Sequence, residues 1–63
     1  MAPQFEVGDL VEFKYDYTFQ QIVGIVTYYY TYNGYLWYKI HWASGKISDV
    51  AEVELRKVKT DKK

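Results

Sequence analysis

Tyr28-Tyr29-Tyr30-Thr31-Tyr32-Asn33-Gly34-Tyr35-Leu36-Trp37-Tyr38-Lys39-Ile40-His41-Trp42 places eight aromatic residues around one Asn-Gly pair. Asn-Gly between aromatic and β-branched runs is the strongest short-range signal for a β-hairpin, because the tight turn needs positive φ at both central residues. Successive side chains of a strand point to opposite faces, so this hairpin is aromatic on both. A small domain needs one face for its core. The other is left for water or for a partner.

Register sets which aromatics are free. A two-residue turn at Asn33-Gly34 pairs Tyr32 with Tyr35, Tyr30 with Trp37, Tyr29 with Tyr38 and, in a strict ladder, Thr27 with Ile40. Tyr29, Tyr38, Ile40 and Trp42 then share a face. Tyr28, Tyr30, Tyr32, Tyr35, Trp37, Lys39 and His41 occupy the other, which Lys39 and His41 mark as outer, since a buried unpaired Lys is expensive. Strict alternation would also expose Val26. A single bulge near Thr27 or Tyr28 would turn both Val26 and Tyr29 inward, and that bulge is predicted. A three-residue loop with Gly34 in a bulge is the competing register. It would turn Tyr28 and Tyr30 inward and Tyr29 outward, and Trp37 stays outside in both.

The rest of the chain continues the β pattern, with no helical periodicity of useful length. Gly8-Asp9 precedes a first strand, Leu10 to Tyr15, with Val11 and Phe13 on one face and Glu12 and Lys14 on the other. A second strand runs from Gln20 to Thr31 and a third from Tyr35 to Trp42. Ala43-Ser44-Gly45 is a tight turn into a fourth, Lys46 to Val50. Ala51-Glu52-Val53 fits a short 3₁₀ turn before a fifth, Glu54 to Val58. Gly24 sits where a long strand must bend or approach another backbone. The expectation is all-β: one domain over residues 5–59, a small five-stranded antiparallel barrel with few exposed edges, followed by a disordered basic tail at 60–63.

Composition narrows the function classes. A chain of 63 residues is one domain, and at this size only about 60% of the unfolded surface is buried. With no Cys and one His, disulfides and the usual Cys/His zinc site are excluded. Eight basic and eight acidic residues cancel, so no strong field steers nucleic acid or an anionic membrane. Arg56, Lys57, Lys59, Lys62 and Lys63 do crowd the end of the chain, and they read as a solvated tail. No apolar run approaches the ~20 residues of a membrane span, and Met1-Ala2-Pro3-Gln4 lacks the regions of a signal peptide. A cytoplasmic protein with no membrane partner and no cofactor is expected.

Val7-Gly8-Asp9-Leu10-Val11-Glu12-Phe13, Gly24-Ile25-Val26, Tyr38-Lys39-Ile40-His41-Trp42-Ala43-Ser44-Gly45 and Val53-Glu54-Leu55 together resemble SH3-like barrels of the Tudor and KOW type. Small stand-alone proteins of tailed phages have a similar appearance, and the resemblance covers Phe5 to Val58. It implies a five-stranded barrel with a 3₁₀ turn before the last strand, in a setting that includes phage-infected cells. It also implies an aromatic cage for methylated Lys or Arg at one barrel end. Tyr15 falls at the first-strand cage position, and Trp42 or His41 at the third-strand one. Ile22 and Ser44 stand where the family has two further walls. KOW domains bind RNA or protein with a basic surface, which this chain lacks.

Two candidate binding regions follow. The first is the outer aromatic face: Trp37, Tyr28, Tyr30, Tyr32 and Tyr35. Cross-strand stabilisation of roughly 0.2–1 kcal/mol per pair accounts for such residues without a partner. A contiguous apolar patch on a soluble monomer instead points to contact or self-association, and an exposed Trp favours that reading. The second is a groove with Tyr15, Tyr17, Trp42 and His41, which a Pro-rich or cationic ligand would suit; a loop packed over the barrel end is the simpler reading of these residues. His41 is the lone His and has no nucleophile or metal partner in the pattern. Asp9, Asp16, Asp49, Glu52 and Glu54 lie mainly in turns, with Asp9 as turn chemistry and Asp49 and Glu52 as caps of the 3₁₀ turn. No catalytic dyad or phosphate-cradling loop is legible. The expected function is therefore non-catalytic binding of a protein segment or of a second copy. Single-stranded nucleic acid stacked on the same rings, helped by Lys39, Arg56 and Lys57, is the alternative.

Overall fold

In the computed structural model, which describes residues 2–14 and 23–58, Asn33 and Gly34 adopt φ of 53° and 81°. These are the left-handed values of a two-residue hairpin turn, which an amide side chain and a glycine reach at least cost. The strands are β1 (Leu10–Phe13), β2 (Gly24–Tyr32), β3 (Tyr35–Trp42), β4 (Ile47–Ala51) and β5 (Leu55–Lys57), with a 3₁₀ turn at Glu52–Glu54. β2 and β3 pair in the two-residue register, Tyr32 with Tyr35, Tyr30 with Trp37 and Tyr29 with Tyr38.

The ladder then skips Thr27: Tyr28 pairs with Lys39, and Val26 pairs with Ile40 in place of a Thr27–Ile40 pair. Thr27 is the bulge predicted at this point, and its hydroxyl donates to the Lys39 carbonyl at 3.2 Å. The extra residue turns Val26 into the core, where it is fully buried. Tyr29 also turns inward, its ring 5.8 Å from that of Tyr38, but it sits at the rim with 38% exposure. Gly24 is a close approach. A Cβ there would lie 2.4 Å from Ile40 Cγ2 and 2.7 Å from Trp42 Cε3, so the β3 side chains can close over β2 only with no side chain at this point.

All five strands form one antiparallel sheet in the order β4-β3-β2-β1-β5. The expected closure into a barrel is not found: among the described residues no ladder joins β4 to β5, and these are the sheet's two edges. The sheet is nonetheless coiled. Ala51 ends one edge strand and Leu55 begins the other, and the steps between them span at most about 14 Å. The inner face accordingly gathers Val11, Val26, Leu36, Tyr38, Ile40, Trp42, Val50 and Leu55, one or more from every strand, with Phe5 from the N-terminal segment.

That segment is tied down by a polar cluster. The Tyr38 hydroxyl donates to Glu52 Oε2 at 2.7 Å and accepts from the backbone N–H of Gln4 and Phe5 at 3.2 and 3.4 Å. Glu52 also accepts from the Gln4 N–H at 2.9 Å. Burial first, and the Glu52 carboxylate second, push the Tyr38 hydroxyl up to about 12. Phe5 meets the Tyr38 ring edge-on at 5.2 Å.

Several boundaries differ from expectation. β1 ends at Phe13, while β4, the 3₁₀ turn and β5 each begin one residue later than expected. The expected caps of the 3₁₀ turn are corrected: its N-cap is Ala51 and no side chain caps it. Glu52 is drawn instead to Tyr38, and Asp49 to Tyr30. Asp9 does serve the turn at Gly8, its carboxylate accepting from the Glu6 N–H at 2.9 Å. Residues 15–22, where the end of the first strand and the start of the second are expected, and the basic tail at 60–63 lie outside the described residues.

Candidate contact face

The side of the sheet away from the core is built in transverse rows, because directly paired residues share a face. Leu10, Ile25, His41 and Ile47 form one row across β1 to β4. Tyr28, Lys39 and Asp49 form the next, Tyr30, Trp37 and Ala51 another, and Tyr32 and Tyr35 the last. Tyr28, Tyr32 and Tyr35 are 57%, 62% and 64% exposed, and Leu10, Ile25 and Ile47 are exposed as well. The outer face thus carries an apolar line along β2, from Ile25 through Tyr28 to Tyr32, flanked by Leu10, Tyr35 and Ile47 and interrupted on β3 and β4 by His41 and the Lys39–Asp49 pair.

Trp37 departs from its expected role as the exposed anchor. It lies on the outer face but is half-buried, and its indole Nε1 is shielded from solvent with no acceptor. The tyrosines around it carry the exposed surface. Tyr28 stacks on Tyr30 with ring centroids 6.1 Å apart and planes 28° from parallel. The Tyr30 hydroxyl donates to Asp49 Oδ2, and that hydrogen bond, with lesser contributions from desolvation and the Asp49 charge, raises the Tyr30 hydroxyl above the usual phenol range.

Charge on this face is internally balanced. Lys39 Nζ lies 3.8 Å from Asp49 Oδ1, and toward β5 the Arg56 Nε lies 2.7 Å from Glu12 Oε2. Lys57 is 3.7 Å from Asp9. The cations expected to assist a polyanion are therefore each beside a carboxylate.

Of the groove candidates, the two described ones, Trp42 and His41, are not brought together. Trp42 is a core residue at 7% exposure, its ring stacked on Phe13 at 4.7 Å and 15° and its indole N–H donating to Ser48 Oγ at 2.8 Å. The groove role expected of it is corrected, since both ring and donor are already occupied. His41 points the other way, onto the outer face between Ile25 and Ile47. Tyr15 and Tyr17 lie outside the described residues. Sequence reasoning missed Leu10, Ile25 and Ile47 as members of the outer face. The signal was present in their alternation with the buried Val11, Val26 and Val50, but it needs the strand register to become a row.

Among the described residues no group of three or more His, Asp or Glu is placed to hold a metal ion. No helix among them is long and apolar enough to cross a membrane. Comparison of the chain with protein-family models, curated proteins and solved structures finds no significant match in any of the three.

Proposed function

We propose that the protein is a non-catalytic contact module whose outer sheet face binds another protein surface. The observation that carries this reading is that Tyr28, Tyr32, Tyr35, Leu10, Ile25 and Ile47 lie on one side of the sheet in neighbouring rows, all exposed. Scattered apolar residues need no explanation, whereas apolar residues gathered in this way mark interaction surfaces. The half-buried Trp37 and the stacked Tyr28–Tyr30 pair give the face a stiff centre, which lowers the entropy lost on binding. A cytoplasmic setting and kinship with SH3-like barrels belong to the same proposal. The five strands and the 3₁₀ turn before the last one support the kinship.

Stacking of single-stranded nucleic acid on these rings has less support, because Lys39, Arg56 and Lys57 are paired with carboxylates. A methyl-lysine cage has less again, with Trp42 enclosed in the core. The test is association of the chain, with itself or with a captured protein, compared with Tyr28→Ser/Tyr35→Ser. Loss of association with circular dichroism and melting retained is the expected result. A double variant that associates as the wild type does would sink the reading, and absence of nucleotide binding at low salt would end the nucleic-acid alternative.

A further inference from the structure

Resting on the contact-face reading, we propose that the occupant of the face is a second copy of the chain, packed face to face about a two-fold axis. The first reason is charge. Along the whole of β2, β3 and β4 the charged residues are Lys39 and Asp49, with His41 and the tyrosine hydroxyls the other titratable groups on the outer face; on β1 the outward Glu12 is paired with Arg56. Lys39 and Asp49 stand side by side in one transverse row. A two-fold axis between them sets Lys39 of each copy over Asp49 of the other, so the face is complementary to itself. At 3.8 Å and half-exposed, the pair within one copy leaves both groups with hydrogen-bonding capacity to spare. A polyanion, a basic peptide or an anionic lipid surface meets no net charge here.

The second reason is that the sheet edges do not offer the same route. Antiparallel pairing of β4 with a second β4 about its middle residue would set Asp49 against Asp49, and the same operation on β5 sets Arg56 against Arg56. Like charges directly opposite destabilise a ladder, and short charged edges resist augmentation. The third reason is area. At ~3.4 Å per residue along β2 and ~4.8 Å per strand across β1 to β4, the face has a footprint of roughly 500 Å². Two copies then bury on the order of 1,000 Å², the lower bound of a specific interface. An interface at this lower bound belongs to the weak, transient class.

Sedimentation of the full chain from about 1 μM to about 1 mM should show a monomer–dimer equilibrium. Lys39→Asp, which makes the row acidic, and Asp49→Lys, which makes it basic, should each weaken dimerisation at least about tenfold while the β-sheet circular dichroism is kept. An equimolar mixture of the two should restore the dimer, and adding Tyr28→Ser to both should abolish it again. A wild-type chain that remains monomeric throughout, or a mixture no more associated than its components, overturns the proposal. Binding of the apolar dye 8-anilinonaphthalene-1-sulfonate then separates the two failures. A monomer that binds the dye and loses it in Tyr28→Ser/Tyr35→Ser keeps the contact face and refutes the second copy. A monomer that binds none refutes both.

Discussion

Trp37 and Trp42 stand on one strand an odd number of residues apart, and so face opposite ways. Trp42 has its indole N–H on Ser48 and its ring on Phe13, while the Trp37 N–H is shielded and without a partner. An unmade hydrogen bond in a shielded place costs roughly 1–3 kcal/mol. Trp37→Phe removes that orphan along with some packing, and should change stability by less than about 1 kcal/mol. Trp42→Phe orphans Ser48 and opens the stack, and should cost about 2 kcal/mol or more. Chemical denaturation of the two variants checks this, and equal losses would contradict the assignment.

Tyr38 carries the pH prediction at the same scale. Its hydroxyl ionises at about 12 in the folded chain, against about 10 for an unfolded tyrosine. Between these values the folded state holds the extra proton, so stability is intact below about pH 10 and falls as pH rises toward the folded value. Tyr38→Phe should cost about 1–2 kcal/mol near neutrality and flatten that alkaline fall. An alkaline fall identical in the variant would assign it to other groups.

Among the elements, β2 has the most to reconcile. It must present Tyr28 and Tyr30 outward, Tyr29 and Val26 inward, and still end flush against Trp42 through Gly24. One bulged residue accomplishes this, because it inverts the alternation between the two halves of the strand. Deleting Thr27 leaves Val26 next in line to pair with Ile40, so both halves keep their faces. The deletion should therefore fold, with a loss of about 0.5–3 kcal/mol from the altered bend. A chain that fails to fold would show the bend to be obligatory. Outright loss of the hairpin is expected instead from changes that forbid positive φ at Asn33-Gly34, where an ordinary side chain costs about 1–2 kcal/mol per residue.

For the molecule as a whole, the stability margin is thin. The core, nine buried residues among those described, is held by no disulfide, since the chain has no Cys, and domains of this size are commonly enlarged by association. Anything that binds only the folded state raises the melting temperature as its concentration rises. If the outer face meets a second copy, the wild-type melting temperature should climb by a few degrees between dilute and concentrated samples. Tyr28→Ser/Tyr35→Ser should melt independently of concentration, with each lost cross-strand pair costing below about 1 kcal/mol. Calorimetry over a range of protein concentrations decides it, and parallel behaviour of the two chains would count against the interface.

Much of this was legible in the residues. Asn33-Gly34 determined the turn, the turn determined the register, and alternation from that register placed Tyr38, Ile40 and Trp42 inside and Tyr28, Tyr32 and Tyr35 outside. The bulge followed from requiring Val26 to be buried. These are local properties, set by backbone sterics and a period of two. Which charges neutralise which, and which edges remain open, depend instead on strands far apart in sequence. Glu52 and Asp49 looked like caps until the fold brought Tyr38 and Tyr30 to them. Ile47 became part of a face only when β4 settled beside His41. The sheet coils without closing because the 3₁₀ turn brings β4 and β5 near each other while no ladder forms between them. The sequence by itself determined the two-faced hairpin; only the tertiary structure decided which exposed residues adjoin on its outer face and which charges balance there, since adjacency and charge balance are properties of neighbours in space.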